Sequence, residues 1–255
     1  MTMLVQPALC DLEGWLRLAR LEDLGFELLD ASVSPALSGG LNEGQCRMLR
    51  ESGRLCSVHG AFIDVNPASG DPEIAALSRR RCEQSCELAV RLGARYVIFH
   101  GSCFPFLRGE YLKNWAKSCA AFYDGLAEKY PLTICVENSF DLDAAPLCRL
   151  MDSVRNEGVR VCLDIGHCAF SRIGVRQWFE ALAERIGYLH LSDNDGAFDE
   201  HLPLGSGNAE LREAGECLRR LNRAVPVTLE VGAMENVRSS LAWLRGNGLY
   251  NHYAP

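Results

Sequence analysis

Short apolar runs alternate along this chain with longer segments of helical spacing, and the alternation repeats eight times. The runs fall at residues 3–6, 26–31, 55–61, 96–100, 132–137, 159–165, 188–192 and 226–231. Each is short enough for a strand, and each gap is long enough for a helix. One gap carries clear punctuation. Asp71-Pro72-Glu73 reads as N-cap, first-position proline and first-turn acid, and Gly93 reads as the stop. Between them the apolar positions Ile74, Leu77, Leu88 and Leu92 recur at mostly helical spacing. Strands separated by helices pair in parallel. Eight such units in 255 residues predict a single-domain α/β chain, a (β/α)8 TIM barrel spanning 1–255. An open doubly wound sheet would carry a glycine-rich turn after its first strand. Residues 6–12, QPALCDL, contain no glycine.

A barrel of this kind collects its functional residues at the C-terminal ends of its strands. There stand His59 (SVHG), His100 (VIFHG), Glu137 (TICVE), Asp164 (VCLDIGH), His190 (YLHLSDND) and Glu230 (VTLE). They come from strands three to eight in order, and all six are expected to face one mouth. His167 follows Asp164 by three residues, with a glycine between them that permits a sharp exit from the strand. Asp199 and His201 flank Glu200 in DEH. Imidazole and carboxylate together are ligands for zinc, manganese, iron or cobalt. A single histidine at a strand end is ordinarily a satisfied polar residue; six strands in succession point to a metal centre. Glu137 and Glu230 each close an apolar strand, where an unpaired carboxylate carries a heavy desolvation cost that a cation removes. Cys135 and Cys162 precede Glu137 and Asp164 by two residues, so they share the inward face one layer deeper and read as core filling.

Around that set lie secondary candidates. Phe62, Phe104, Phe106 and Trp115 wall the site or simply pack. Arg108 and Arg172 are available to an anion. Residues 203–208, PLGSGN, offer either a phosphate cradle or, the plainer reading, a tight turn. No lysine lies on a strand, which argues against Schiff-base chemistry, and no G-x-S-x-G elbow is present. Cys103, three residues past His100, reads as a loop thiol rather than a nucleophile.

The net charge is -7 and argues against a nucleic-acid partner. All but three of the 26 basic residues are arginines, the exceptions being Lys113, Lys117 and Lys129. The opening MTMLVQPALC has no basic region and no long apolar core, and no stretch reaches a membrane span, so a soluble cytoplasmic chain is expected. The 12 cysteines show no CxxC pair and are expected to be reduced and mostly buried. The barrel's helices leave ample surface for a homo-oligomer.

The pieces VHGAFIDVNP, VIFHG, CVENS, CLDIGHCAFSR, LHLSDNDGAFDEHLPLGSG and TLEV resemble the xylose isomerase-like TIM-barrel superfamily over nearly the whole chain. That resemblance implies metal-dependent chemistry of two kinds. In its ketose 3-epimerase branch one divalent ion is held by Glu, Asp, His and Glu, matching Glu137, Asp164, His190 and Glu230. The two glutamates there also move the proton through an enediolate, and the DxxH histidine, matching His167, binds substrate. Phe62, Arg172, His59 and His100 join His167 as candidate substrate contacts. In its endonuclease IV branch a three-zinc cluster is held by nine ligands. They match His59, His100, Glu137, Asp164, His167, His190, Asp199, His201 and Glu230. Gly196 stands where the epimerase branch often has an arginine, which puts that substrate contact in question. The short loops and acidic charge argue against cleavage of DNA. The expectation is therefore an isomerase or epimerase of a small sugar, sugar phosphate or polyol, using one ion of Zn, Mn, Fe or Co. The second expectation is a zinc phosphoesterase using up to three. A non-catalytic sugar-binding barrel is disfavoured because every catalytic position is filled.

Overall fold

The computed structural model describes residues 3–30, 41–106 and 108–253. Eight parallel strands close into one barrel: β1 (Leu4–Val5), β2 (Gly25–Leu29), β3 (Leu55–His59), β4 (Tyr96–His100), β5 (Thr133–Glu137), β6 (Val159–Asp164), β7 (Ile186–Leu191) and β8 (Val227–Leu229). β1 pairs with both β2 and β8, which removes any free edge. The (β/α)8 expectation holds, with β7 beginning two residues earlier than its apolar run and Glu230 lying just past β8. Residue 31, expected in the second strand, is outside the described residues.

The helices follow in step: α1 (Leu12–Glu22), α2 (Glu43–Ser52), α3 (Pro72–Leu92), α4 (Gly109–Lys129), α5 (Ala145–Met151), α6 (Ile165–Cys168), α7 (Val175–Leu182), α8 (Leu211–Arg220), α9 (Met234–Gly246) and α10 (Tyr250–Tyr253). The punctuation of α3 is as read. The Asp71 carboxylate accepts from the Glu73 and Ile74 amides, and Gly93 closes the helix at φ 80°. Of the four apolar positions, Leu88 and Leu92 face inward. Ile74 and Leu77 are 49% and 46% exposed. The buried stripe is Ala75, Ser78, Cys82, Ser85, Cys86, Leu88, Ala89 and Leu92. Small side chains let this helix lie close against the strands, so the larger apolar residues of its first turns are turned outward.

Inside the barrel Leu4, Ile98, Cys135, Cys162 and Tyr188 form a packed layer, as filled barrel interiors require. Cys135 and Cys162 sit there as expected, and all 12 cysteines are free thiols, most of them buried. Strand register then prepares the mouth. His100 pairs with Glu137 across β4 and β5, and Asp164 pairs with His190 across β6 and β7. Two pairings are irregular, between Phe26 and Glu27 and between Val161 and Cys162. Such shifts re-aim the side chains beside them. Among the described residues no helix is long and apolar enough to cross a membrane.

Candidate metal centre

The six strand-end residues converge. Glu137 is fully buried and lies at the middle of the group. Its Oε2 is 3.4 Å from His59 Nε2 and 3.6 Å from His100 Nε2. Its Oε1 is 3.2 Å from His190 Nδ1 and 3.4 Å from His167 Nδ1. His190 Nδ1 is in turn 3.4 Å from Glu230 Oε2 and 3.9 Å from Asp164 Oδ2. Asp199 joins His167 to His201, with contacts of 3.2 Å and 3.1 Å. All nine residues singled out as ligands are thus brought together.

Three groups whose ligand atoms lie within 4.8 Å of one another take in all nine: Glu137, Asp164, His190 and Glu230; His59, His100 and Glu137; and His167, Asp199 and His201; a fourth, His59, His190 and Glu230, links the first two. The first is wholly buried, and the third opens to solvent through Asp199. Cys162 also approaches Glu137 and His190. Burial holds its thiol well above the usual range, so it stays neutral and belongs to the core layer below.

A satisfied core histidine has both ring nitrogens partnered. Here three imidazoles have one nitrogen held by a group outside the nine and turn the other to a carboxylate among them, His190 Nδ1 without any hydrogen bond. His59 Nδ1 donates to the Gly60 carbonyl at 3.2 Å and presents Nε2. His167 Nδ1 donates to the Asn138 carbonyl at 2.7 Å and presents Nε2. His190 does the reverse, placing Nε2 3.1 Å from Glu27 Oε1 and presenting Nδ1. Outer partners of this kind fix the tautomer a metal ligand needs. Both Glu137 oxygens, Asp164 Oδ2 and His190 Nδ1 are buried without a hydrogen-bond partner. Four orphaned polar atoms at one point would be costly in a core, and a divalent cation satisfies them. The donor set of imidazole and carboxylate suits such an ion.

Charge tells the same story. Burial alone would raise the Glu137 pKa, but His190, His100 and His59 hold it well below the usual carboxylate range. Against the same burial penalty, neighbouring carboxylates hold His167 and His190 well above the usual imidazole range. Burial, with Glu137 close by, pushes Glu230 up to about 7. Burial takes His100 down to about 4. The group carries surplus negative charge that protons neutralise, and a cation would displace those protons.

The scaffold around the ligands is specific. Asn138 brackets Asp164: its Oδ1 accepts the Asp164 amide at 2.7 Å and its Nδ2 donates to the Asp164 carbonyl at 3.0 Å. Asp164 caps α6, accepting the His167 amide at 2.6 Å. The glycine between them is required by close approach rather than by an unusual turn. A Cβ on Gly166 would lie 2.3 Å from Ser192 Oγ. After β7, Asp193 and Leu202 exchange backbone hydrogen bonds in an antiparallel bridge, which closes the turn bearing Asp199 and His201. The Asp193 carboxylate also accepts from the amides of Asn194, Gly205, Gly207 and Ala209. This settles the 203–208 loop as a tight turn, because an internal carboxylate already occupies its amides.

The remaining candidates separate. Phe62 packs on His59 and His100, with ring centroids 5.0 Å from each. Phe104 and Phe106 are exposed, and Trp115 is buried. Arg172 is exposed beside a hollow lined by Cys168, Ser171, Asn208 and Glu210, and no hydrogen bond or ion pair among the described residues ties its side chain to the ligand groups. Sequence reasoning missed Glu27, Gln6, Asn138 and Asp193. Glu27 carried a usable signal, being a carboxylate inside the apolar strand GFELL.

Residues 18–247 match the family model described as xylose isomerase-like TIM barrel. A probable endonuclease 4 of Mycobacterium leprae is 28% identical over 205 residues, covering 74% of this chain and 77% of its own. Among solved structures, a D-tagatose 3-epimerase-like protein superposes with a TM-score of 0.81 at 20% identity, covering 100% of both chains. A protein from Thermus thermophilus, studied in crystals soaked with ZnCl2, superposes at 0.79 with 24% identity, covering 96% of this chain and 97% of its own.

Proposed function

The chain belongs to the xylose isomerase-like TIM-barrel family, and from that premise we propose that it is a metal-dependent isomerase or epimerase of a small sugar, sugar phosphate or polyol. The observation that carries this is the buried tetrad, Glu137, Asp164, His190 and Glu230, in which two glutamates from different strands meet at one orphaned ligand set. These four residues would hold a divalent ion. When bound, the ion supplies Lewis acidity to a carbonyl and its neighbouring hydroxyl.

Glu137 and Glu230 take and return the proton. Both reach His190 Nδ1, Glu137 Oε1 at 3.2 Å from the end of β5 and Glu230 Oε2 at 3.4 Å from just past β8. Paired carboxylates of this kind divide the roles of base and acid. His59, His100 and His167 bind sugar hydroxyls, with Phe62 as an apolar wall. Asn138 keeps Asp164 and His167 in place. The relatives whose names include sugar epimerases support the substrate class.

A second reading, a multinuclear zinc phosphoesterase, is favoured by one observation: His167, Asp199 and His201 form a ligand group that shares no residue with the tetrad. The likeness to endonuclease 4 supports it. Incubating the metal-loaded protein with a ketose panel in deuterated water separates the two. Deuterium next to the carbonyl is expected under the first reading. No exchange across the panel, together with hydrolysis of a phosphodiester, overturns it in favour of the second.

A further inference from the structure

We propose that Glu27 is a positioning residue of the metal centre, fixing His190 in the Nε2–H tautomer so that Nδ1 faces the other ligands. This rests on the metal-centre part of the reading above.

Glu27 lies in the middle of β2, a strand that contributes none of the nine ligands, and it is fully buried. The β2–β3 register shifts between Phe26 and Glu27, an irregularity of the kind that re-aims a side chain. The carboxylate is aimed into the barrel, directly beneath the tetrad. There its oxygens collect four donors. Gln6 Nε2 donates at 3.0 Å, Ser57 Oγ at 3.1 Å and Thr228 Oγ1 at 3.2 Å, while His190 Nε2 lies 3.1 Å from Oε1. The Tyr188 hydroxyl, 2.6 Å from Ser57 Oγ and 2.8 Å from Thr228 Oγ1, braces both hydroxyl donors from the layer below.

The choice of a carboxylate matters. An ionised carboxylate only accepts hydrogen bonds, so the imidazole nitrogen facing it must carry the proton. An amide or hydroxyl at the same place would accept either tautomer. His190 is fully buried; Glu137 and Glu230 face its Nδ1 at 3.2 Å and 3.4 Å, but those carboxylates are ligands the ion would engage, which leaves Glu27 as the acceptor that holds the ring proton on Nε2. Gln6 extends the effect, since its Nε2 also donates to Glu230 Oε1. Two of the four tetrad ligands are therefore held from below by one buried carboxylate.

The test has two arms. In the first, manganese affinity is measured by competition with a chelator for the full chain and for Glu27→Gln, with circular dichroism as the check on folding. The variant is expected to bind manganese about 10–100-fold more weakly, the range for loss of an outer partner. A folded variant within twofold of the parent overturns the proposal. In the second, the ring nitrogens of His190 are read by long-range proton–nitrogen correlation in the parent loaded with diamagnetic zinc, where the ring is neutral, so the answer does not depend on the variant folding. A proton on Nε2 is expected; a proton on Nδ1 overturns the proposal. A parent chain that takes up neither manganese nor zinc sinks the metal-centre reading instead; a parent that takes up metal with the His190 proton on Nδ1 sinks the Glu27 proposal alone.

Discussion

Titrating the metal-free protein with manganese while following thermal unfolding counts the ions in the centre. A ligand that binds only the folded state stabilises by RT ln(1 + [L]/Kd), so above Kd each decade of free metal adds about 1.4 kcal/mol per ion. For a chain of this length 1 kcal/mol moves the midpoint by roughly 2–4 °C. The structure sets the multiplier. The tetrad alone predicts about 3–6 °C per decade, and three filled ligand groups predict about 8–16 °C per decade. Manganese is the proper titrant because the unfolded chain exposes 12 cysteines that would take up zinc. His201→Ala sharpens the count. It removes one ligand of the open group and leaves the tetrad's contacts alone, so it lowers the slope by one ion only if that group is filled. A midpoint that does not move with free manganese from micromolar to millimolar would refute the metal-centre argument outright.

Three further outcomes follow from the geometry. Gly166→Ala places a Cβ 2.3 Å from Ser192 Oγ and should cost about 1–3 kcal/mol in denaturant unfolding. Because that hydroxyl has no partner of its own, adding Ser192→Ala should restore most of the loss; an unaffected single variant contradicts the close-approach account. Asp193→Asn weakens the acceptor of four backbone amides and should cost about 2–3 kcal/mol, with faster amide exchange at Gly205 and Gly207; unchanged exchange there counts against the clamp. Burial raises the Asp141 carboxyl to about 6, against about 3.9 in an unfolded chain. The folded form therefore binds that proton more tightly, and its stability is lost as pH rises from about 4 to about 6. In the metal-free protein Asp141→Asn should gain about 2 kcal/mol at pH 7 and nothing near pH 3.5; a variant less stable than the parent at pH 7 shows the sign is wrong.

The convergence of the candidate ligands was legible because the fold concentrates its chemistry at strand ends, and a histidine or glutamate closing an apolar run stands out even in a single sequence. Glu27 obeys the same logic but sits mid-strand, where the register shift that turns it inward leaves no mark in the residue pattern. Asn138 lay in plain view beside Glu137. Its role depends on the Asp164 backbone, 26 positions away in the chain, and only folding joins the two. The large apolar residues of α3 divide between its faces, Leu88 and Leu92 inward and Ile74 and Leu77 outward, so they alone do not mark which side packs. Alanine, serine and cysteine at helical spacing, from Ala75 to Ala89, were the better signal of close packing. The 203–208 loop was readable as a turn, though the carboxylate that fills it comes from ten or more residues upstream.

The bridge between Asp193 and Leu202 makes the outer pair of candidate ligands, Asp199 and His201, a property of one surface loop. Glu137, Asp164 and His190 belong to the barrel wall and Glu230 follows β8 directly, so a lost residue there would disturb strand register. Asp199 and His201 ride on a self-closed stalk held by its own hydrogen bonds. A chain with the same eight strands and a tighter turn here would shed both outer ligands at once and keep the inner four. Loop length enters stability only logarithmically, at about 0.6 kcal/mol per doubling. A barrel built this way can trade a one-ion centre for a several-ion one by gaining or losing a few exposed residues, with the wall beneath unaware of the exchange.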